Sequence, residues 1–259
     1  MGRLENSIAV ITGASSGIGE CVARSFAEEG ATVILCARGI EKTRGVADSI
    51  IENGGKALAI ACDVSSDQSV TSLKAQVSEM VGAPDIVVNN AGTYKISRFL
   101  DTSIDTYKAA IDTNYLGVVR MIKAFLPGMI DAGYGKIVNI ASTAGKSGSM
   151  YQAHYNGSKH AVVGITRSLG IEHAKTGVCI NAICPGFVET PMLDQGLEEF
   201  ADVAGLPRED ARETMLTRVP MGRFLEPDEL NPLAIYLASK ECMSMTGQSM
   251  TISGGMVVT

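Results

Sequence analysis

The sequence of 259 residues predicts an α/β fold, a doubly wound parallel sheet of seven strands with helices on both faces. Short runs rich in β-branched residues alternate with longer stretches of helical periodicity, which is the pattern of consecutive β-α-β units. A glycine-rich turn follows the first of these runs. Hydrophobic residues make up 46% of the chain and charged residues 19%, so the composition is that of a folded globular protein.

Seven segments have the composition of buried strands, and each is followed by a turn or a helical stretch. In chain order they are IAVIT (8–12), ATVILCA (31–37), ALAIACD (57–63), PDIVVNNAG (84–92), KIVNIAS (136–142), VCINAICPG (178–186) and QSMTIS (248–253). Helices are predicted between them, over residues 20–29, 41–53, 104–129 and 155–175. No repeat or low-complexity linker divides the chain, so we expect one domain over residues 1–259.

One segment, residues 189–223, breaks this alternation. It follows a strand but carries many charges, three prolines and several methionines. Ligands bind beyond the carboxyl ends of parallel strands, so an insertion at this point is predicted to form a lid over a substrate. Its methionines would either fill a core or present an adaptable apolar surface to a bulky substrate.

The first strand leads into TGASSGIG (12–19), which opens directly into a helix. Glycines permit a tight turn and a close approach of the backbone, and the helix N-terminus then faces the pyrophosphate of a dinucleotide. This turn predicts cofactor contacts from Gly13, Ser15, Ser16, Gly17, Ile18 and Gly19.

The ends of the next strands indicate which cofactor binds. Arg38 stands after the second strand, where an acidic residue would repel a 2'-phosphate, so NADP(H) is preferred over NAD(H). The alternative is that Arg38 is a solvated loop cation. Asp63, followed by Val64, would meet the adenine or would cap a helix that starts near residue 65. The small residues Asn90, Ala91 and Gly92 would let the cofactor lie against backbone, although they would suit a plain turn equally well.

The stretch YNGSK contains Tyr155 and Lys159, and Ser142 lies thirteen positions upstream of the tyrosine. Reduction of a carbonyl by a nicotinamide requires an acid at the oxygen, and an ordinary tyrosine is a poor one. A lysine four residues later shares the tyrosine's helix face, so its charge would favour the phenolate and lower the tyrosine's pKa. These three residue types predict a hydride-transfer site.

Together, TGASSGIG, NNAG, the serine of NIAS, YNGSK and CPGFVET resemble, in this order, the short-chain dehydrogenase/reductase family. The resemblance implies a Rossmann fold, a nicotinamide cofactor and the catalytic residues Asn114, Ser142, Tyr155 and Lys159. Tyr155 would exchange the substrate proton and Ser142 would bond the substrate oxygen. Lys159 would bind the nicotinamide ribose, and the backbone carbonyl of Asn114 would hold a water that connects this lysine to solvent.

Further expectations come from the same resemblance. The nicotinamide would be contacted by Tyr155 and Lys159 and by Pro185, Gly186, Val188 and Thr190. Relatives commonly assemble as homotetramers through the two long helices, predicted here over residues 104–129 and 155–175. A homotetramer is therefore expected.

The sequence says less about the identity of the substrate than about the type of reaction. The runs GVCINAICPGFVETPM and RVPMGRF resemble polyketide and 3-oxoacyl thioester ketoreductases. Asp131 and Glu172, however, would repel an acidic carrier protein, so a free ketone or secondary alcohol is the first expectation. A carrier-bound thioester is the second. A nucleotide-binding sensor or scaffold without turnover is a third, because a fold does not fix a function.

Several classes of protein are disfavoured. The net charge is -6 and no Lys/Arg run occurs, so nucleic acid is not an expected partner. The chain shows neither a signal peptide nor an apolar run long enough for a bilayer, so a cytoplasmic location without membrane attachment is expected. The six cysteines form no CxxC pair and the three histidines no HExxH motif, so reduced thiols and no metal site are expected.

Overall fold

A computed structural model describes residues 2–258, so the two terminal residues of the predicted domain 1–259 lie outside the described residues. Seven strands form one sheet in the order β3-β2-β1-β4-β5-β6-β7, and every pair of neighbours is parallel. The predicted fold class is therefore confirmed. The strands are β1 (Ile8–Thr12), β2 (Thr32–Ala37), β3 (Lys56–Ala61), β4 (Ile86–Asn89), β5 (Gly135–Ile140), β6 (Val178–Pro185) and β7 (Ser249–Ile252).

Helices cover both faces of this sheet. They are α1 (Gly17–Glu28), α2 (Ile40–Glu52), α3 (Asp67–Met80), α4 (Ile104–Ile111), α5 (Gly117–Asp131), α6 (Ala153–Glu172), α7 (Pro191–Ala204), α8 (Arg208–Leu216) and α9 (Asn231–Ala238). One apolar cluster joins the sheet to α1, α2 and α9, and a second joins it to α3, α5 and α6. The core is thus split by the sheet into two layers.

Strand β1 shows why these segments are so uniformly apolar. Ala9 and Ile11 pack into the first cluster, whereas Val10 between them packs into the second. Successive side chains point to opposite faces, so a strand covered on both sides needs apolar residues throughout. The sheet order reverses between β1 and β4, and this reversal creates the crevice in which doubly wound proteins bind ligands.

The helix predicted over residues 104–129 is present, but its hydrogen bonding is not α-helical throughout. A π-helical turn, Asp112–Leu116, separates α4 from α5. Such a turn inserts i→i+5 hydrogen bonds into a helix and is frequent at functional sites. Hydrophobic periodicity does not reveal it, because the apolar residues continue on both sides.

Residues 189–223 form α7 and α8, which pack on each other around a small apolar cluster of their own. The cluster contains Leu193, Leu197, Met215, Val219 and Phe224. An ion pair between Arg212 and Glu189 links α8 to the start of the segment. In the described part of the chain, no helix is both long and apolar enough to cross a membrane.

Candidate active site

A cavity of about 510 Å³ opens at the carboxyl ends of β1, β4, β5 and β6. It is bordered by most of the residues that the sequence predicts for the site: Gly13, Ser15, Ser16, Gly17, Ile18, Arg38, Asp63, Val64, Asn90, Ala91, Gly92, Ser142, Tyr155, Lys159, Pro185, Gly186, Val188 and Thr190. Two predicted residues, Gly19 and Asn114, do not border it. Each of these two contacts residues of the cavity wall instead.

The glycine-rich turn has the conformation that its sequence predicts. Gly13 and Gly17 adopt φ values of +65° and +58°, in the left-handed region that favours glycine. A Cβ on Gly13 would lie 2.8 Å from the Nδ2 atom of Asn90, and a Cβ on Gly19 would clash with the same amide and with the Gly13 carbonyl. Gly19 is therefore required for packing within the turn.

The N-terminus of α1 faces this cavity. Its N-cap, Ser16, has extended backbone and makes no side-chain capping hydrogen bond. The first N–H groups of a helix have no partner within the helix, so they are available to phosphate oxygens here. Together with the bare backbone of the glycine turn, this arrangement fits the pyrophosphate of a dinucleotide.

Arg38 and Asp63 border the part of the cavity beyond β2 and β3. The Asp63 Oδ1 atom accepts hydrogen bonds from the Ser65 N–H at 2.9 Å and from the Ser65 hydroxyl at 2.6 Å. These bonds, with a smaller contribution from the charge of Arg38, lower the pKa of Asp63. Asp63 does not cap the following helix, because α3 is capped by Ser66, whose hydroxyl accepts from the Ser69 N–H.

Ser142, Tyr155 and Lys159 come together where β5 ends and α6 begins. Ser142 hydrogen-bonds the Tyr155 hydroxyl and also accepts from the Ala144 N–H at 3.1 Å. One helical turn beyond the tyrosine, Lys159 donates to the Ile140 carbonyl at 2.8 Å, and its Nζ lies 5.8 Å from the centre of the Tyr155 ring. A hydroxyl, a phenol and an ammonium therefore share one wall of the cavity.

In the protein alone, burial determines the protonation states of Tyr155 and Lys159. It raises the pKa of Tyr155 to about 12 against the opposing hydrogen bond from Ser142, and it lowers the pKa of Lys159 to about 8. In the protein alone, desolvation sets the direction of the tyrosine's pKa, and the lowering that the sequence predicts from the lysine is not present. Further positive charge is needed to favour the phenolate, and an oxidised nicotinamide ring would supply it when bound.

Asn114 lies in the π-helical turn and is fully buried. Its Oδ1 accepts from the Thr93 N–H at 2.7 Å, and its Nδ2 donates to the Thr93 carbonyl and to the Ser158 hydroxyl, both at 3.0 Å. The side chain thereby fixes the loop after β4 against α6, the helix of Tyr155. The water that the sequence assigns to its backbone carbonyl stays a prediction.

Thr190 connects the cavity to the 189–223 segment. Its hydroxyl donates to the Val188 carbonyl at 3.0 Å and accepts from the Leu193 N–H at 3.3 Å, so it caps α7. A Cβ on Gly17 would lie 3.2 Å from the Thr190 methyl group. The start of α7 therefore covers the glycine-rich turn.

A further set of cavity residues was not predicted from the sequence. They lie in the loops after β4, β5 and β6, in α7 and after α8, and they include Tyr94, Thr143, Ala144, Ser149, Gln152, Phe187, Leu193 and Arg218. Tyr94 lies two residues after NNAG and Phe187 lies within CPGFVET, which was the available signal. Met192 and Met256 also border the cavity, whereas Met215 fills the small cluster of α7 and α8.

Asp131 and Glu172 occupy positions that the sequence did not reveal. They end α5 and α6, and each helix runs from the cavity edge of the sheet toward the edge where β5 and β6 begin. Neither residue borders the chain's own cavity. Within one chain, their negative charge therefore does not repel a ligand that enters the cavity, and the two residues do not disfavour an acidic carrier there.

The crevice, the glycine-rich turn and the Ser-Tyr-Lys wall define a dinucleotide-dependent oxidoreductase. A family model of these enzymes, described as enoyl-(acyl carrier protein) reductase, matches residues 13–257. The chain belongs to the short-chain dehydrogenase/reductase family, as its motifs predict, and acts on alcohol and keto groups.

Individual proteins resemble it over nearly their whole length. A putative ketoacyl reductase of Streptomyces coelicolor is 40% identical over 258 residues, which cover 99% of both chains. The crystal structure of a tryptophan variant of actinorhodin polyketide ketoreductase with NADPH has a TM-score of 0.94 at 39% identity and covers 99% of both chains. A putative gluconate 5-dehydrogenase of Beutenbergia cavernae with bound NADP has a TM-score of 0.89 at 31% identity, covering 98% of this chain and 97% of that one.

Proposed function

We propose that this chain interconverts a ketone and a secondary alcohol with NADP(H), on a molecule that is bulky and largely apolar. The observation that carries the proposal is the wall formed by Ser142, Tyr155 and Lys159 beside the glycine-rich turn in one cavity. When bound, the reduced nicotinamide supplies hydride to the carbonyl carbon. Asn114 is assigned to positioning the loop after β4, and Gly19 to packing of the glycine turn.

The protein residues handle the oxygen and its proton. Tyr155 is protonated at neutral pH, because its pKa is about 12, so it is ready to donate a proton to the developing alkoxide. When substrate is bound, the Ser142 hydroxyl turns its one proton from the tyrosine to the same oxygen. The Lys159 ammonium provides a positive field in a buried setting, where it stabilises the alkoxide more strongly than it would in water.

The predicted preference for NADP(H) rests on Arg38 at the end of β2. Its guanidinium borders the cavity, where it can pair with a 2'-phosphate. The two solved neighbours described with NADPH and with NADP agree with this preference. NAD(H) is the second candidate, because its ribose carries no phosphate with which Arg38 could pair.

The apolar side chains of the cavity support a bulky ketone. Tyr94, Phe187, Met192, Leu193 and Met256 line it together. A 3-oxoacyl or polyketide thioester held by a carrier is the second candidate, and the names of the relatives favour it. We assign the 189–223 segment the role of a lid, since α7 covers the glycine turn.

We also propose that the protein assembles as a homotetramer and is located in the cytoplasm. An apolar groove between α5 and α6 is lined by Ile122, Leu126, Ile165 and Leu169, and Ile171 nearby is 80% exposed. This face suits the homotetramer expected from the family. The six cysteines are free, which agrees with a reducing cytoplasm.

The test is a turnover assay. The purified protein is mixed with NADPH and separately with NADH, absorbance of the reduced nicotinamide is followed, and a panel of free ketones is offered beside a 3-oxoacyl thioester. Oxidation of NADPH with free ketones supports the first candidate, and activity with the thioester alone supports the second.

A tyrosine variant separates an enzyme from a nucleotide-binding sensor. Tyr155→Phe is expected to abolish turnover and to leave NADPH affinity within about twofold. Tyr134→Phe is the matched control, because its buried hydroxyl has no partner among residues 2–258 and lies off the cavity. Equal turnover in wild type and Tyr155→Phe would contradict the assigned chemistry.

A further inference from the structure

A second tyrosine, Tyr94, lies beside the Tyr155 ring in the same cavity. The two ring centres are 4.9 Å apart and the planes meet at 83°, an edge-to-face contact. The backbone that leads to Tyr94 is fixed, because Asn114 bonds both the N–H and the carbonyl of Thr93. This phenol is therefore held at a defined place next to the proton donor.

The lid helix α7 fixes the other side of the Tyr94 ring. A Cβ on Gly196 would lie 2.5 Å from the ring atom Cε1, so the ring packs directly on helix backbone. Two more bonds tie the same loop to α7: the Ile96 N–H donates to Glu199 at 2.7 Å, and Arg98 donates to the Val203 carbonyl at 2.9 Å. Such packing leaves the ring little freedom to turn away.

The hydroxyl of Tyr94 has one partner within the part of the chain that the structure describes. It accepts a hydrogen bond from Gln152 Nε2 at 2.8 Å, and the Gln152 side chain, which is buried, also lies 3.2 Å from the Ser149 hydroxyl. A phenol that accepts one hydrogen bond still has its own proton to donate. Burial raises the pKa of Tyr94, so this proton is present at neutral pH.

We propose that Tyr94 is a specificity-determining residue that donates a hydrogen bond to a second oxygen of the substrate, while Tyr155 serves the oxygen of the reacting carbonyl. The preferred substrate is then a ketone that carries another oxygen acceptor a few bonds away. This inference rests on the proposed ketone reduction and adds a feature that the reaction itself does not require. A ketone without the second oxygen would leave a buried donor unpaired, which disfavours it.

The test compares ring ketones that differ in one atom. Each of 2-, 3- and 4-methoxycyclohexanone is paired with the ethylcyclohexanone of the same substitution, since an ether oxygen accepts but does not donate. We expect the wild type to prefer the methoxy member of one pair by about 3- to 10-fold in kcat/KM, the range of one hydrogen bond. Tyr94→Phe, which keeps the ring and removes the donor, should lose this preference.

Tyr107→Phe is the control, because its buried hydroxyl has no partner among residues 2–258 and lies off the cavity. It should keep the methoxy preference. Equal losses on both members in Tyr94→Phe would leave the methoxy preference in place and would overturn the proposal, as would a wild type that turns over all pairs without preference.

A wild type that turns over none of these ketones would instead contradict the proposed reduction of free ketones. The same pairs are then titrated by ligand-observed NMR. A methoxy preference in affinity that disappears in Tyr94→Phe supports the second-oxygen contact, and equal affinities in the two proteins overturn it.

Discussion

Replacing Arg38 with alanine tests how this protein selects its cofactor. The guanidinium borders the cavity beyond β2, and its side chain is exposed to solvent. A charge-assisted hydrogen bond to a phosphate is worth more than a neutral one, but solvent reduces the gain at an exposed position. We take about 1–2 kcal/mol for this contact, so Arg38→Ala should weaken NADPH about 5- to 30-fold and change NADH by less than about twofold.

Cofactor affinity is measured by titrating each reduced nicotinamide and following its fluorescence, and turnover is measured with the best ketone. Arg44→Ala is the matched control, because Arg44 is an exposed arginine of α2 that pairs with Glu41 and lies off the cavity. Equal weakening of NADPH and NADH in Arg38→Ala, or no weakening of either, would refute the assigned phosphate contact. Either result would make Arg38 a solvated loop cation.

Two further substitutions test the interior of the site. Asn114→Ala removes three hydrogen bonds of a buried side chain, at about 1 kcal/mol each, so urea unfolding should show that the free energy of unfolding falls by about 3 kcal/mol. The exposed control Asn53→Ala should lower it by less than about 0.5 kcal/mol. A decrease below about 1 kcal/mol in Asn114→Ala would contradict this assignment. Because burial lowers the pKa of Lys159 from 10.5 to about 8, the unfolded chain binds more protons at this lysine between these values, and its contribution to stability should rise by about 2 kcal/mol from about pH 7.5 to about pH 9.5. This contribution is measured as the difference between wild type and Lys159→Met, because burial raises the pKa of several cysteines, whose titration over the same range has the opposite effect on stability. Lys159→Met should lack this rise, and parallel pH profiles would show that the lysine is not desolvated.

The sequence was sufficient for the sheet and for most of the cavity wall. Alternating buried and helical segments predict all seven strands, because a parallel sheet covered on both faces needs continuous apolar runs that short-range pattern reveals. Gly13 and Gly17 were predictable for a similarly local reason, since their left-handed conformations are set within one turn. Ser142, Tyr155 and Lys159 follow from residue type and spacing on a strand end and a helix.

Features that depend on contacts between distant segments were not predictable in the same way. Asn114 stays a predicted catalytic residue through its backbone carbonyl, but the sequence did not reveal that its side chain joins the loop after β4 to α6, two segments that are distant in the chain. The π-helical turn around it leaves no mark in the hydrophobic periodicity. Asp131 and Glu172 were misplaced because the direction in which a helix runs across the sheet decides which end meets the cavity.

The sequence by itself determined the fold, the family and the chemistry, because these depend on local pattern and on a few residue types at fixed spacing. The tertiary structure alone decided how the substrate side of the cavity is built. Tyr94 meets Tyr155, Gln152 and Gly196 only when the loop after β4, the start of α6 and helix α7 come together. Burial is also a property of the assembled fold, and it raises the pKa of Tyr155 where spacing to a lysine predicted the opposite.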